Sequence, residues 1–169
     1  MNAEIVRRLE SIPVTEWSGT VYRHTFGDRP PAADNSRGAR WSPPETPAIY
    51  CSLSRDTAIA ESEHLIQLYP VAPSKGRKIN TIKLRLSRVA DLSNWKILGE
   101  LGVERADFEA DDYGATQLVG GAAEWLGYDG IIVPSARHAG MNLVIFPRKA
   151  EITDYFDVVN VEVIQAPAS

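Results

Sequence analysis

Hydrophobic positions along the chain change their period several times, and each period predicts a different element. Ile79–Leu86 (INTIKLRL) alternates apolar and polar residues with period two, the mark of a half-buried strand. Gly130–Pro134 (GIIVP) and Asn142–Phe146 (NLVIF) are short unbroken apolar runs, which suits buried strands. Thr20–Phe26 and Ala48–Ser52 also read as strands, and Phe156–Ile164 closes the chain with alternation around VNVEV. Helical spacing marks Ala3–Ile12, through Ile5, Leu9 and Ile12 before Pro13. It also marks Ser54–Tyr69, Asn94–Leu101 and Ala115–Leu126, the last ending at Gly127. Gly27–Gly38 is rich in Gly, Pro, Asp, Asn and Ser and reads as a long loop, after which Pro43, Pro44 and Pro47 punctuate the approach to a strand. Val71–Lys78 is a polar connector and Ala106–Tyr113 an acidic loop. There is no internal repeat, and strands and helices do not alternate regularly. The pattern predicts an α+β fold in a single domain rather than a doubly wound sheet.

One residue breaks its pattern. At about 100° per residue, Ser54–Tyr69 carries Ala58, Ile59, Leu65, Ile66 and Tyr69 on one face, with Leu68 at the margin. Glu61 falls inside that arc, between Leu65 and Leu68, whereas Glu63 falls on the polar side with Gln67. A carboxylate aimed at the core side of a helix is costly unless it is paired or works in a cleft. Glu61 therefore calls for a buried cation or for chemistry.

Composition narrows the classes. The 169 residues suit one domain, and a net charge of −4 gives no electrostatic footprint for nucleic acid. Cys51 is the only cysteine, so no intramolecular disulfide forms, which fits a reducing compartment. The start, MNAEIVRRLESIP, lacks the apolar region of a signal peptide, and no stretch is long enough for a membrane span. The expected location is the cytoplasm.

His24, His64 and His138 are far apart in sequence, with no HExxH or CxxC, so no metal site is expected. There is no P-loop, GxGxxG or GxSxG either. What remains is a set of polar residues at strand ends: Arg23, Arg40, Tyr50, Ser52, Ser135, Arg137 and Asn142. Arginine forks suit phosphate, an aromatic face suits nicotinamide or a base, and a carboxylate suits a ribose hydroxyl. Together these would suit a phosphorylated nucleotide. Each also has a plainer reading. Arg23 and Arg40 could neutralise Glu61 or lie on the surface. Tyr50 and Trp41 could pack, Ser135 could cap a turn, and Cys51 reads as a small buried hydrophobe. Glu109, Asp111 and Asp112 read as a solvated charge run.

The ordered set is more specific than its parts. VYRHTF, GARWSPPETPAIYCSLS, AIAESEHL and GIIVPSARHAGMNLVIF resemble, in this order, the RES-domain family, over about Thr20 to Phe146. That family is named for an Arg, a Glu and a Ser, which correspond to Arg40, Glu61 and Ser135. Where family members often carry Asn after the Arg–aromatic pair and Gly soon after, this chain has Ser42 and PPETP. The resemblance implies a toxin of a type II toxin–antitoxin pair, with an ADP-ribosyltransferase-like fold in which small sheets and flanking helices form an NAD cleft. It implies NAD as substrate, cleaved by hydrolysis or phosphorolysis, or ADP-ribose transferred to a protein. A domain that keeps the fold but only binds is the non-enzymatic alternative. The implied partner is an Xre-type helix-turn-helix antitoxin, with no direct nucleic-acid binding by this chain; the closing strand offers an edge for homodimer pairing. In this reading Glu61 holds the ribose hydroxyl, Arg40 with Arg23 anchors the diphosphate, and Tyr50 stacks on nicotinamide. Ser135, Asn142 and Ser52 line the NAD site.

Overall fold

The computed structural model describes residues 2–69, 76–147 and 155–165. In chain order they form α1 (Ala3–Glu10), β1 (Val14–Phe26), β2 (Ile49–Ser52), α2 (Arg55–Leu68), β3 (Arg77–Asp91), α3 (Trp95–Glu100), α4 (Arg105–Glu109), α5 (Gly114–Trp125), β4 (Gly130–Pro134), β5 (Met141–Ile145) and β6 (Phe156–Ile164). This is the mixed α+β content that the periods predict. Three details differ from expectation. β1 begins at Val14, because it runs antiparallel to β3 from Val14↔Ala90 to Phe26↔Arg77, with a bulge between Thr15 and Trp17. Its largely exposed first half carries little hydrophobic signal and is held by the backbone ladder. The acidic segment expected as a loop starts with α4, whose first turn is a capping box between Glu104 and Asp107; there the acids are the helix signal. Of the expected polar connector, residues 71–75 lie outside the described residues, and Arg77 and Lys78 already belong to β3.

The strands form one sheet in the order β1-β2-β5-β4-β3-β6, and a further β1–β3 pairing closes the first five into a small barrel. β6 sits outside this ring along Arg77–Leu84 of β3, the stretch of that edge that β4 leaves unpaired. Among the described residues only the β3–β4 pair is parallel. Alternation of side chains across each strand then makes two cores. Val21, Ile49, Cys51, Ile82, Leu84, Ile132, Leu143 and Ile145 fill the barrel. Ile131, Val133 and Val144 face outward and pack against Leu9 of α1, Leu98 of α3 and Val119, Ala122 and Ala123 of α5.

α2 keeps only the first part of its predicted face. Its buried residues are Thr57, Ala58 and Ser62, while Leu68 and Tyr69 at its end are 56% and 60% exposed. The helix lies on the barrel by its first turns: of the predicted arc, Ala58 is buried and Glu61 meets the sheet, whereas Leu65 and Ile66 are only half-buried.

α5 is fitted against the segment between β1 and β2. A Cβ on Gly120 would stand 1.6 Å from the Trp41 carbonyl oxygen. Thr116 Oγ1 donates to the Arg40 carbonyl, and Gln117 Nε2 donates to the Ala39 carbonyl at 3.0 Å. Trp41 is inserted below, 2% exposed, with its ring edge-on to Phe108. We expect Gly120→Ala to cost about 2 kcal/mol or more, because backbone rather than a flexible side chain must yield. Thermal melting should show a loss of several degrees; an unchanged midpoint would mean that this contact is not tight.

Candidate active site

The register of three strands assembles a polar patch on the outside of the barrel. Ser52 pairs with Asn142 across β2 and β5, and Tyr22 of β1 stands opposite Ser52. The first turns of α2 lie over this patch. Ser54 caps that helix by accepting the Thr57 N–H, which fixes where its first turn begins. Half-buried Glu61 projects back to the sheet. Its Oε1 accepts from the Ser135 hydroxyl at 2.6 Å and from Asn142 Nδ2 at 2.8 Å. Asn142 Oδ1 accepts from the Ser52 hydroxyl at 2.8 Å. The amide is thus oriented from both ends. Among the described residues the misplaced carboxylate is met by neutral donors, not by a cation.

Ser135 ends up beside Glu61 because β4 runs into a tight loop. Ser135 N donates to the Gly140 carbonyl at 2.9 Å, and Ser135 Oγ accepts the Arg137 N–H at 3.1 Å. Gly140 seats this loop on α2, since a Cβ there would lie 2.2 Å from Thr57 Oγ1. Thr57 Oγ1 also shares a hydrogen bond with His138 Nδ1 at 2.9 Å. A pocket of about 300 Å³ opens beside Ser135, with His138, Arg105, Phe108 and Trp95 in its wall. A larger groove, about 410 Å³, lies around Gly19, Lys83 and Phe156 and shares no residue with the Glu61 cluster.

Arg40 stands one step further out. Its guanidinium lies between the rings of Phe108 and Tyr113, 4.7 and 4.8 Å from their centroids. Nη2 binds Asp111 Oδ1 at 2.6 Å, and Arg137 Nη2 binds the same oxygen at 2.6 Å. Partial burial works against the Asp111 charge, but the Arg137 and Arg40 guanidiniums outweigh it and hold the carboxyl below its usual range. Asp111 is exposed, as a surface charge would be, but it is tied to two arginines. A continuous set of bonds now joins the Arg, Glu and Ser: Arg40 to Asp111 to Arg137, then from the Arg137 backbone through Ser135 to Glu61.

The other expected residues take different places. The Tyr50 hydroxyl accepts the Trp41 N–H at 3.0 Å and shares a hydrogen bond with Ser42 Oγ at 2.8 Å. Burial pushes its pKa up to about 12, against the pull of those partners. It fastens the turn that carries Arg40. Arg23 alternates with Val21 and Thr25, faces the inner side of β1 and donates to the Pro31 carbonyl. The structure does not bring it to the Glu61 cluster; it ties down the loop after β1, and burial lowers its pKa. Cys51 lies inside the barrel, as a small hydrophobe would, and burial raises its thiol to about 12.

Sequence reasoning missed His24 and Asp111 as members of the site, and placed Arg137 among the candidate polar residues without a role of its own. His24 is two residues from Tyr22 and so shares the face that meets Ser52, a relation visible only once the β1–β2 register is known. Burial lowers its pKa to about 4, and the nearby Glu61 charge only partly opposes this. Above that value the folded protein holds His24 neutral, whereas an unfolded chain takes up the proton near pH 6.5. The unfolded state then binds more protons between those values, so stability falls as the pH drops through them. We expect His24→Phe to flatten this acid slope by roughly 1–3 kcal/mol. Chemical denaturation of both proteins from pH 7 to pH 4 checks it, and parallel slopes would remove His24 as the cause.

A family model described as RES domain matches residues 8–162, a span that includes Arg40, Glu61 and Ser135. Proteins named NAD(+) phosphorylase MbcT, from Mycobacterium bovis and Mycobacterium tuberculosis, are each 30% identical over 153 residues, covering 86% of this chain and 82% of theirs. A crystal structure of the M. tuberculosis MbcT–MbcA toxin–antitoxin complex superimposes with a TM-score of 0.81 at 27% identity, over 96% of this chain and 93% of that one. The chain belongs to the RES domain family.

Proposed function

We propose that this protein is the toxin of a type II toxin–antitoxin pair and consumes NAD by breaking the bond between nicotinamide and ribose. One observation carries the reading: Glu61 Oε1 is held by both Ser135 and Asn142, leaving Oε2 without a donor among the described residues. A carboxylate fixed in this way can accept a ribose hydroxyl without reorganising. Bond cleavage passes through an oxocarbenium-like state, and the negative charge of Glu61 would stabilise the positive charge that develops on the sugar. Nicotinamide is a good leaving group and takes the bonding electron pair without prior protonation. The acceptor then closes the sugar carbon. With phosphate the products are nicotinamide and a phosphorylated ADP-ribose; the relatives named NAD(+) phosphorylase favour this acceptor over water or a protein side chain.

The remaining groups take roles in binding. Arg40 would anchor the diphosphate, and Tyr50 would present its ring to nicotinamide while its hydroxyl holds the Arg40 turn. Ser52 would act through Asn142. Arg23 has no part in this scheme. We read the barrel and its outer cleft as an ADP-ribosyltransferase-like arrangement within one RES domain. The partner would be an Xre-type helix-turn-helix antitoxin covering the cleft, a reading supported by the solved toxin–antitoxin complex of the relative. Among the described residues no helix is long and apolar enough to cross a membrane.

The test is NAD loss and product identity, followed by NMR with and without phosphate. Wild type should release nicotinamide, and Glu61→Gln should lose activity by about 100-fold or more while melting normally, since the change is nearly isosteric but removes the charge. Full activity in folded Glu61→Gln would sink the mechanism. ADP-ribose found on protein instead of in solution would favour the transferase reading. Arg40→Ala should raise the KM for NAD by about tenfold or more, through loss of a charge-assisted phosphate contact.

A further inference from the structure

We propose that Arg40 and Arg137 together form a subsite for a phosphate group, and that the Asp111 carboxylate occupies this subsite until a phosphate exchanges with it. This rests on the NAD reading for its biological ligand but not for its geometry.

Two guanidiniums converge on one oxygen, each at 2.6 Å. Two cations share a single anion, so the cluster keeps a net positive charge in a place largely withdrawn from water. The Arg40 side chain is 10% exposed and that of Arg137 19%, whereas Asp111 is 45% exposed. The arginines therefore form the floor and the carboxylate lies on the solvent side, where an incoming anion would arrive. Among the described residues, Arg40 Nη1 is the buried side-chain nitrogen or oxygen without a hydrogen-bond partner. A carboxylate held through one oxygen leaves that donor unused, whereas a phosphate offers three or more acceptors and twice the charge.

The backbone at Asp111 supports a role for the side chain. α4 ends in a Schellman turn: Asp112 N donates to the Asp107 carbonyl and Asp111 N to the Phe108 carbonyl. Asp111 is the left-handed residue of this turn, with φ 50°. Glycine or asparagine is the usual occupant there. The turn explains the backbone but not the carboxylate, whose contacts are the two arginines. Arg137 is also joined to the reacting end of the cleft, because its N–H donates to the Ser135 hydroxyl that holds Glu61. A phosphate on Arg137 is thus registered against the carboxylate that would meet the sugar.

The experiment uses calorimetric binding of inorganic phosphate, pyrophosphate and ADP-ribose to wild type, Asp111→Asn, Asp111→Gly and the double variant Asp111→Gly/Arg137→Gln. Asparagine keeps the side-chain shape, and glycine suits the left-handed turn, so at least one variant should fold. Removing the resident charge should tighten binding by about tenfold or more, and Arg137→Gln should abolish that gain. A gain for ADP-ribose that phosphate does not compete away assigns the subsite to the dinucleotide's diphosphate. A gain for phosphate alone assigns it to a free phosphate co-substrate. Equal binding by wild type and both Asp111 variants, or a gain that survives loss of Arg137, overturns the proposal. NAD turnover on the same samples separates the two readings. Cleavage with unaltered anion binding sinks only the subsite, and tightened pyrophosphate binding without any cleavage sinks only the NAD assignment.

Discussion

The Ser135 hydroxyl holds the site together because it bonds in two directions. It donates to Glu61 and accepts from the Arg137 backbone, so a single side chain sets the distance between the helix that carries the carboxylate and the loop that carries the cation. Much else is arranged around that atom. β4 must end at Pro134 for Ser135 to leave the sheet, and Gly140 must lack a side chain for the loop to rest on Thr57. Asn142 must be the first outward residue inside β5, so that its amide can bridge Ser52 and Glu61. None of these contacts is individually large, since a hydrogen bond contributes about 1 kcal/mol net and about 1.5–3 kcal/mol where it meets a charged carboxylate. Their effect is positional.

Barrel closure explains why a small chain can hold such a site rigidly. Joining β1 to β3 leaves the ring without a free edge and fills its interior with aliphatic side chains. Every outward side chain near the ring's rim then has a fixed bearing. The helices add the second half of the frame, with α5 holding the backbone of the Arg40 turn and Tyr50 bracing it from below. The ordering entropy of the arginine is met during folding, which lowers what a ligand must supply on binding.

Much of this was legible in the sequence. The strands GIIVP and NLVIF announced themselves by unbroken apolar runs, and Glu61 stood out because it interrupts a helical stripe. The RES-family blocks located Arg40 and Ser135. The rest depended on facts that no local pattern encodes. Arg23 and His24 are adjacent and differ only in which side of β1 they face; that is set by pairing with β2 and β3, not by the residues themselves. α2 hid its orientation, because its buried face is Thr57, Ala58 and Ser62, none strongly apolar. Asp111 looked like surface charge because its arginine partners come from loops 71 and 26 residues away.

The spacing of Glu61 from its partners has a consequence in time. Its two hydrogen-bond donors lie 74 and 81 residues downstream. A ribosome must therefore extend the chain through Asn142 before the carboxylate acquires the company that fixes it. For a polypeptide whose proposed activity would drain its own cell, the order of the chain delays the hazard: the carboxylate is made first, and the groups that fix it follow 74 and 81 residues later.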